Sequence, residues 1–341
     1  MMLFLNRFLC FSVFQLLLFS GLEAAEAKPY RIYAITFRGM TDVEKGFVDY
    51  FKTRKIPVDI VFRDLARDAN KMPGFLDEIR RTKPDLVYTW GTSVTLGVVG
   101  SVGKVEPAKH ITDIPVVFTL VAAPVLAGIT NDLKSSGRNL TGVVHVASTE
   151  AQMRAMSSYR PFHTLGVLYT PTEQNSLVTL AELKAVGAKS GFKVIERAFK
   201  LDADKKPIAN GADVLVRELK QEGVEWLYLP PDSFLGTLAQ KTIIPAAMEL
   251  GLPTFAATEQ LMQAGALTGL VSRYYSIGQF TAYKAEQILV GKVPPARIPI
   301  ESLSRFSFQV LLPAAKRLNL PPPLSLFDYA EILTAQEAET P

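Results

Sequence analysis

The chain has few of the residues from which most metal sites and nucleophilic enzymes are built. Its 341 residues include one cysteine and three histidines. The cysteine, Cys10, falls inside the first 27 residues. A chain cut after residue 27 therefore has no disulfide, no thiol nucleophile and no cysteine-held metal. His110, His145 and His163 are not spaced as metal ligands, and each adjoins a strand or loop where a structural role suffices. No G-x-S-x-G elbow, H-E-x-x-H helix, P-loop or G-x-G-x-x-G turn occurs, and no two carboxylates stand out as an acid/base couple. The expectation is a protein with no cofactor, no metal and no catalysis. A block of Lys and Arg is also missing, which sets nucleic acid aside as a partner. After residue 27 no apolar run reaches the length of a membrane span.

What the chain does have is ordinary globular material, 48% hydrophobic and 21% charged residues, in a length that suggests two domains. The first 27 residues stand apart. Arg7 precedes an apolar run over residues 8–19, too short to cross a bilayer, and Ala25-Glu26-Ala27 fits a small-x-small cleavage site. Residues 1–27 read as a signal peptide, and losing Arg7, Glu23 and Glu26 takes the formal net charge from +4 to +5. Cys10 comes near the start of the apolar run, whereas a lipoprotein cysteine would come at its end. A soluble exported protein follows, most simply periplasmic.

The mature chain alternates strand and helix patterns. The stretch Asp85 to Ser93 is its centre: a buried strand over residues 85–89, a sharp turn at Gly91, and a helix with Thr92 or Ser93 as N-cap. Such a junction aims backbone N–H groups out of the sheet's carboxyl edge, where ligands of open α/β sheets bind. The plain alternative is that the two hydroxyls only cap the helix. Strands starting near Arg31, Pro57, Asp85 and Ile114 are matched later by ones at Leu165, Phe192, Glu225 and Leu252, at a near-constant offset. This indicates two copies of one βαβ architecture, and if the two similar lobes face each other their edge loops line one cleft. The loops Gly91-Thr92-Ser93 and Pro231-Asp232-Ser233 then occupy equivalent edges. From residue 320 the chain is proline-rich, then acidic, and reads as a loosely attached tail.

The residues at these edges suit a small polar or amphipathic ligand. Phe37 and Arg38 follow the first strand, and Trp90, Thr92 and Ser93 follow the third. Asp232, Ser233 and Phe234 come from the matching edge, Glu259 follows the last strand of that lobe, and Tyr274 ends the strand after it. Aromatic rings offer stacking area, hydroxyls and N–H groups suit an acceptor, and Asp232 suits an amine or a sugar hydroxyl. The competing structural readings are that Trp90 and Phe234 plug their lobes and that Asp232 is only a helix cap. If Asp232 holds ligand, Asp232→Ala weakens binding without unfolding the chain.

Several short marks, in order, resemble one family. They are Lys83-Pro-Asp-Leu-Val with Gly91-Thr92-Ser93, Ile114-Pro-Val-Val-Phe118, Asn139-Leu-Thr-Gly142, Pro231-Asp232-Ser233, Gly265-Ala-Leu with Tyr274-Tyr275 and Gly278, and Ile288-Leu-Val-Gly291-Lys292 before Ile298-Pro-Ile300. Across almost the whole mature chain they resemble the substrate-binding proteins of ABC transporters of the tryptophan/tyrosine-binding type. The resemblance implies the type I periplasmic-binding-protein fold, two similar doubly wound parallel-sheet lobes with a hinged cleft. It also implies a ligand carboxylate at Gly91-Thr92-Ser93, an amino group at Asp232, and an ABC permease of the inner membrane as partner to a monomer. Two departures lie near the cleft. Ala123-Pro124 stands where the family has Asp-Pro, and Pro231-Asp232-Ser233 where it often has Thr-Asp-Asn. The implied division is 28–145 plus 266–294 for the first lobe, 146–265 plus 295–325 for the second, and a tail over 326–341. Two other classes stay open: a periplasmic receptor read by a membrane kinase, and an exported hydrolase or transferase. A kinase pull-down separates the first, and steady turnover of a bound compound the second.

Overall fold

Leu86–Trp90 and Trp226–Leu229 are buried along their whole length, and each lies inside a separate sheet. Strands covered on both faces need such continuous apolar runs. The computed structural model describes residues 28–334, so the signal-peptide reading and the last part of the tail lie outside the described residues. In chain order the strands are β1 (Tyr30–Thr36), β2 (Val58–Asp64), β3 (Leu86–Trp90), β4 (Val116–Val121) and β5 (Leu140–Val144). Then come β6 (Thr164–Tyr169), β7 (Lys193–Ala198), β8 (Trp226–Leu229), β9 (Thr254–Ala256) and β10 (Thr268–Val271). The last are β11 (Glu301–Ser302), β12 (Ser307–Leu311) and β13 (Glu331–Leu333).

The first sheet runs β11-β5-β4-β3-β1-β2 and the second β13-β12-β10-β9-β8-β6-β7. The series β2-β1-β3-β4-β5 therefore reappears as β7-β6-β8-β9-β10, the duplication that the strand offsets suggested. All pairs are parallel except β10 with β12. A carboxylate marks the same place in both copies. Asp85 accepts a hydrogen bond from the Arg31 N–H at 2.8 Å, and Glu225 accepts from the N–H groups of His163 and Thr164 at 2.6 and 2.8 Å.

The lobes are joined by three crossings, and their positions differ from the implied division. The first lies between β5 and the helix Thr149–Tyr159, whose Met153, Met156 and Tyr159 pack in the second core. The second comes after β10, not before it. Thr268 and Gly269 pair with Phe255 and Ala256 of β9, so residues 266–271 belong to the second lobe. The short connection from β9 holds only the helix Glu259–Gln263, which returns the chain to its own sheet. The third crossing follows β11. Glu301 and Ser302 extend the first sheet beside Val143 and Val144, and the Thr141 hydroxyl (to the Ile298 carbonyl, 2.9 Å) and the Lys284 ammonium (to the Pro299 carbonyl, 2.6 Å) anchor the approach. Residues 295–302 thus stay with the first lobe, and β11 and β12, consecutive in the chain, lie in different sheets. The tail is attached as far as it is described. Leu326 is fully buried, β13 pairs with β12, and Glu331 accepts hydrogen bonds from Ser307 and Gln309 at 2.5 and 3.0 Å.

One contact fixes the cleft's first-lobe wall. The helices Asp42–Arg54 and Tyr274–Leu289 cross backbone to backbone. A Cβ on Gly278 would lie 1.9 Å from the Val43 carbonyl oxygen, and one on Gly46 2.1 Å from that of Tyr275. Only glycine permits this approach, and it sets Tyr274 at the mouth of the first lobe. Among the described residues no helix is long and apolar enough to cross a membrane.

Candidate functional site

The carboxyl ends of β1, β3, β4 and β5 face those of β8 and β9 across a cleft with an empty volume of about 580 Å³, part of it open to solvent. Phe37, Arg38, Trp90, Thr92, Ser93, Asp232, Ser233 and Tyr274 all line it. Of the sequence candidates, Phe234 and Glu259 do not. Phe234 packs edge-on against Phe199, ring centres 5.0 Å apart, and serves the second core. Glu259 is buried and accepts the Tyr274 backbone N–H at 2.5 Å, so it caps the 274–289 helix. Burial raises its pKa above the ordinary carboxylate value.

The first-lobe wall is aromatic and cationic. The rings of Phe37 and Trp90 stack at 6.0 Å and 12°, and the Arg38 guanidinium lies 5.0 Å from the centre of the Trp90 ring. Burial pulls the Arg38 pKa below its ordinary value, a trend that the nearby Tyr274 hydroxyl opposes. Arg38 still carries its charge, and among the described residues it forms no salt bridge. Beside it the helix Gly91–Val99 begins at Gly91, whose φ of +79° suits glycine alone. Its N-cap residue is Trp90, and no side chain caps it. Thr92 and Ser93 are therefore in the first turn and not at the cap. The turn's N–H groups have no partner within the helix, and residues 91–94 line the cleft.

The matching edge is built differently. Asp232 is 5% exposed and its carboxylate accepts four hydrogen bonds. Three measure 2.7 Å (Thr170 N–H), 2.9 Å (Thr170 hydroxyl) and 2.8 Å (Leu235 N–H), and the fourth comes from the Ser176 hydroxyl. Four donors fill the four lone-pair sites of a carboxylate. Asp232 thus caps the helix Ser233–Leu238 and pins the end of β6 to it. Glu173 then takes the Ser233 and Phe234 N–H groups at 2.9 and 3.0 Å. Burial, and next the charge of Asp232, push the Glu173 pKa upward.

The structure adds residues that the sequence did not single out. His145, treated there as structural, reaches the cleft from the first crossing. It is 5% exposed, burial pushes its pKa down to about 4, and its Nδ1 has no hydrogen-bond partner. The Trp90 Nε1 is likewise buried and unpartnered. Leu120 and Ala122 line the cleft because β4 shifts register between Phe118 and Val121, where Leu120 adopts a left-handed φ of +52°. Such a conformation costs on the order of 1–3 kcal/mol and collects at working sites. Asn175 and Gln260 complete the second-lobe side. No group of three or more His, Cys, Asp or Glu able to hold a metal occurs among the described residues.

Residues 35–331 match the family described as ABC transporter substrate binding protein, and the chain belongs to that family. A curated relative is the tyrosine-binding protein of Clostridioides difficile (strain R20291), 22% identical over 283 residues, which are 81% of this chain and 76% of that protein. Among solved structures, a conserved domain protein from Vibrio cholerae superposes with a TM-score of 0.77 at 21% identity, covering 90% of this chain and all of that one. An ABC domain from Streptococcus pneumonia in complex with L-Trp has the same TM-score at 22% identity, covering 89% of this chain and 99% of that one. At these identities the structures define the fold, which is the type I periplasmic-binding-protein fold.

Proposed function

We propose that this protein is the exported solute-binding component of an ABC importer. It closes its lobes on a small amphipathic ligand, an amino acid or other small carboxylate, and presents it to a permease of the inner membrane. The observation that carries the reading is the interlobe cleft itself, with an unpaired Arg38 over Trp90 beside an uncapped helix N-terminus. Guanidinium and first-turn N–H groups together suit a carboxylate, and the Phe37–Trp90 wall suits a planar body. The second lobe closes from Ser233, Asn175 and Gln260. The three crossings are the hinge, with the bridge between Val146 and Val271 joining two of them. No bond is made or broken; the ligand's binding energy drives closure. The relatives' ligands, tyrosine and L-Trp, place aromatic amino acids first in a test panel.

The test is native mass spectrometry of the chain purified from periplasm, then thermal shifts with amino acids, small carboxylates, nucleosides and sugars. A copurifying solute, or a rise in Tm of several degrees as tight binding requires, supports the reading. Turnover of the bound compound, or no ligand from any class, removes it.

A further inference from the structure

The carboxylates around the cleft are engaged with donors of the protein itself, whereas the cation meets neutral groups, the Trp90 ring and the Tyr274 hydroxyl. Asp232 accepts four hydrogen bonds, and Glu173 accepts the Ser233 and Phe234 N–H groups. Glu259 accepts the Tyr274 N–H. Glu44, behind Arg38, accepts from the Thr41 N–H at 2.8 Å, the Thr41 hydroxyl at 2.6 Å and the Tyr88 hydroxyl at 2.5 Å. Arg38, by contrast, has no salt bridge among the described residues. Two buried ring nitrogens that border the cleft, Trp90 Nε1 and His145 Nδ1, are also without partners. The open capacity of the site is thus one guanidinium, one helix N-terminus and neutral groups.

An ammonium group enclosed here would lose its water without gaining a free carboxylate, and an unpaired buried charge is costly. A carboxylate gains the guanidinium and the first-turn N–H groups. We propose that the cleft takes an aryl carboxylate that carries no ammonium group, in preference to the corresponding α-amino acid. The ring lies against the Phe37–Trp90 wall and the carboxylate meets Arg38 and the first turn of the 91–99 helix. Asp232, which would hold the amino group if the resemblance were carried over, instead shapes the second-lobe edge. This inference rests on the binding-protein reading and narrows its ligand.

The experiment is titration calorimetry on the chain lacking residues 1–27, after unfolding and refolding to remove copurified solute. Two matched pairs are compared, 3-(indol-3-yl)propionate with L-tryptophan and 3-(4-hydroxyphenyl)propionate with L-tyrosine. In at least one pair the compound without the amino group binds at least tenfold tighter. Arg38→Gln lowers that affinity at least tenfold while the chain still unfolds cooperatively. Amino acids that bind as tightly as their partners, or tighter, overturn the proposal, as does failure of all four compounds. A non-aromatic copurifying solute in native mass spectra sinks the proposal but leaves the binding-protein reading standing. With no solute of any kind, both fall.

Discussion

The same junction is used twice in this chain, and the two copies have gone different ways. After β3, the strand turns through Gly91 into a helix that no side chain caps, with unpaired Arg38 beside it. After β8, the strand turns through Pro230-Pro231 into a helix capped by Asp232, whose carboxylate is filled by Thr170, Ser176 and Leu235. One edge leaves its helix uncapped, and the other satisfies itself. Equivalent positions in a duplicated fold therefore do not imply equivalent roles. What separates them is whether the local hydrogen bonds are already made.

Removing the self-satisfied side has the largest expected effect. Asp232→Ala leaves two buried hydroxyls and the Leu235 N–H without their acceptor and the Thr170 N–H with only the Ser176 hydroxyl at 3.2 Å, and urea unfolding should show a loss of about 3 to 5 kcal/mol. Sequence reasoning expected this variant to lose affinity and keep its stability. A variant as stable as the parent but deaf to ligand would restore that view. Next comes His145. Its folded pKa, about 4, lies below its ordinary 6.5, so the unfolded chain takes up the proton first as pH falls. The stability its neutral form lends is whole above pH 6.5 and lost towards pH 4, about 3 kcal/mol in all. His145→Gln should lose correspondingly less stability over that window in chemical denaturation, and parallel curves for the two chains would remove the assignment.

On the open side the effect moves from stability to affinity. Arg38→Gln should weaken binding of a carboxylate ligand at least tenfold, about 1.4 kcal/mol or more, with a change in unfolding free energy below about 1 kcal/mol because Arg38 is partly exposed and forms no salt bridge among the described residues. A large loss of stability with unchanged affinity would make Arg38 a packing residue and return the carboxylate to the helix N-terminus alone.

Much of this comparison was legible in the sequence. Continuous apolar strands, the glycine after Trp90 and the constant offset between the two series are local signals, and each maps onto the sheets as read. What could not be read is long-range. Asp232 is filled by donors 56 and 62 residues earlier, at Ser176 and Thr170. Nothing near Pro231 announces them. β11 is only two residues long and β10 is a buried strand like its neighbours, so the lobe to which each belongs depends on which edge is within reach. His145 enters the cleft because it stands at a crossing, and crossings leave no periodic pattern. Leu120 is an ordinary strand residue by type; its left-handed backbone follows from the shift in register within β4.

The smallest effect tests the duplication itself. Asp85 and Glu225 sit at matching strand entries, yet Asp85 takes one backbone N–H and Glu225 takes two, together with the Thr164 hydroxyl at 3.2 Å. The N–H groups hold the Glu225 pKa below the ordinary carboxylate value. Its contribution is therefore complete above that ordinary value, 4.5, and fades as pH falls through the lowered one. Both sites are partly open to water, so neither amide substitution should cost more than about 1 kcal/mol. Glu225→Gln should cost more than Asp85→Asn, because it weakens two backbone contacts where the other weakens one. The difference should shrink in acid, where Glu225 is protonated in both states. Equal costs at neutral pH would mean that the two lobes still use this carboxylate in the same way, and that their divergence is confined to the edge facing the cleft.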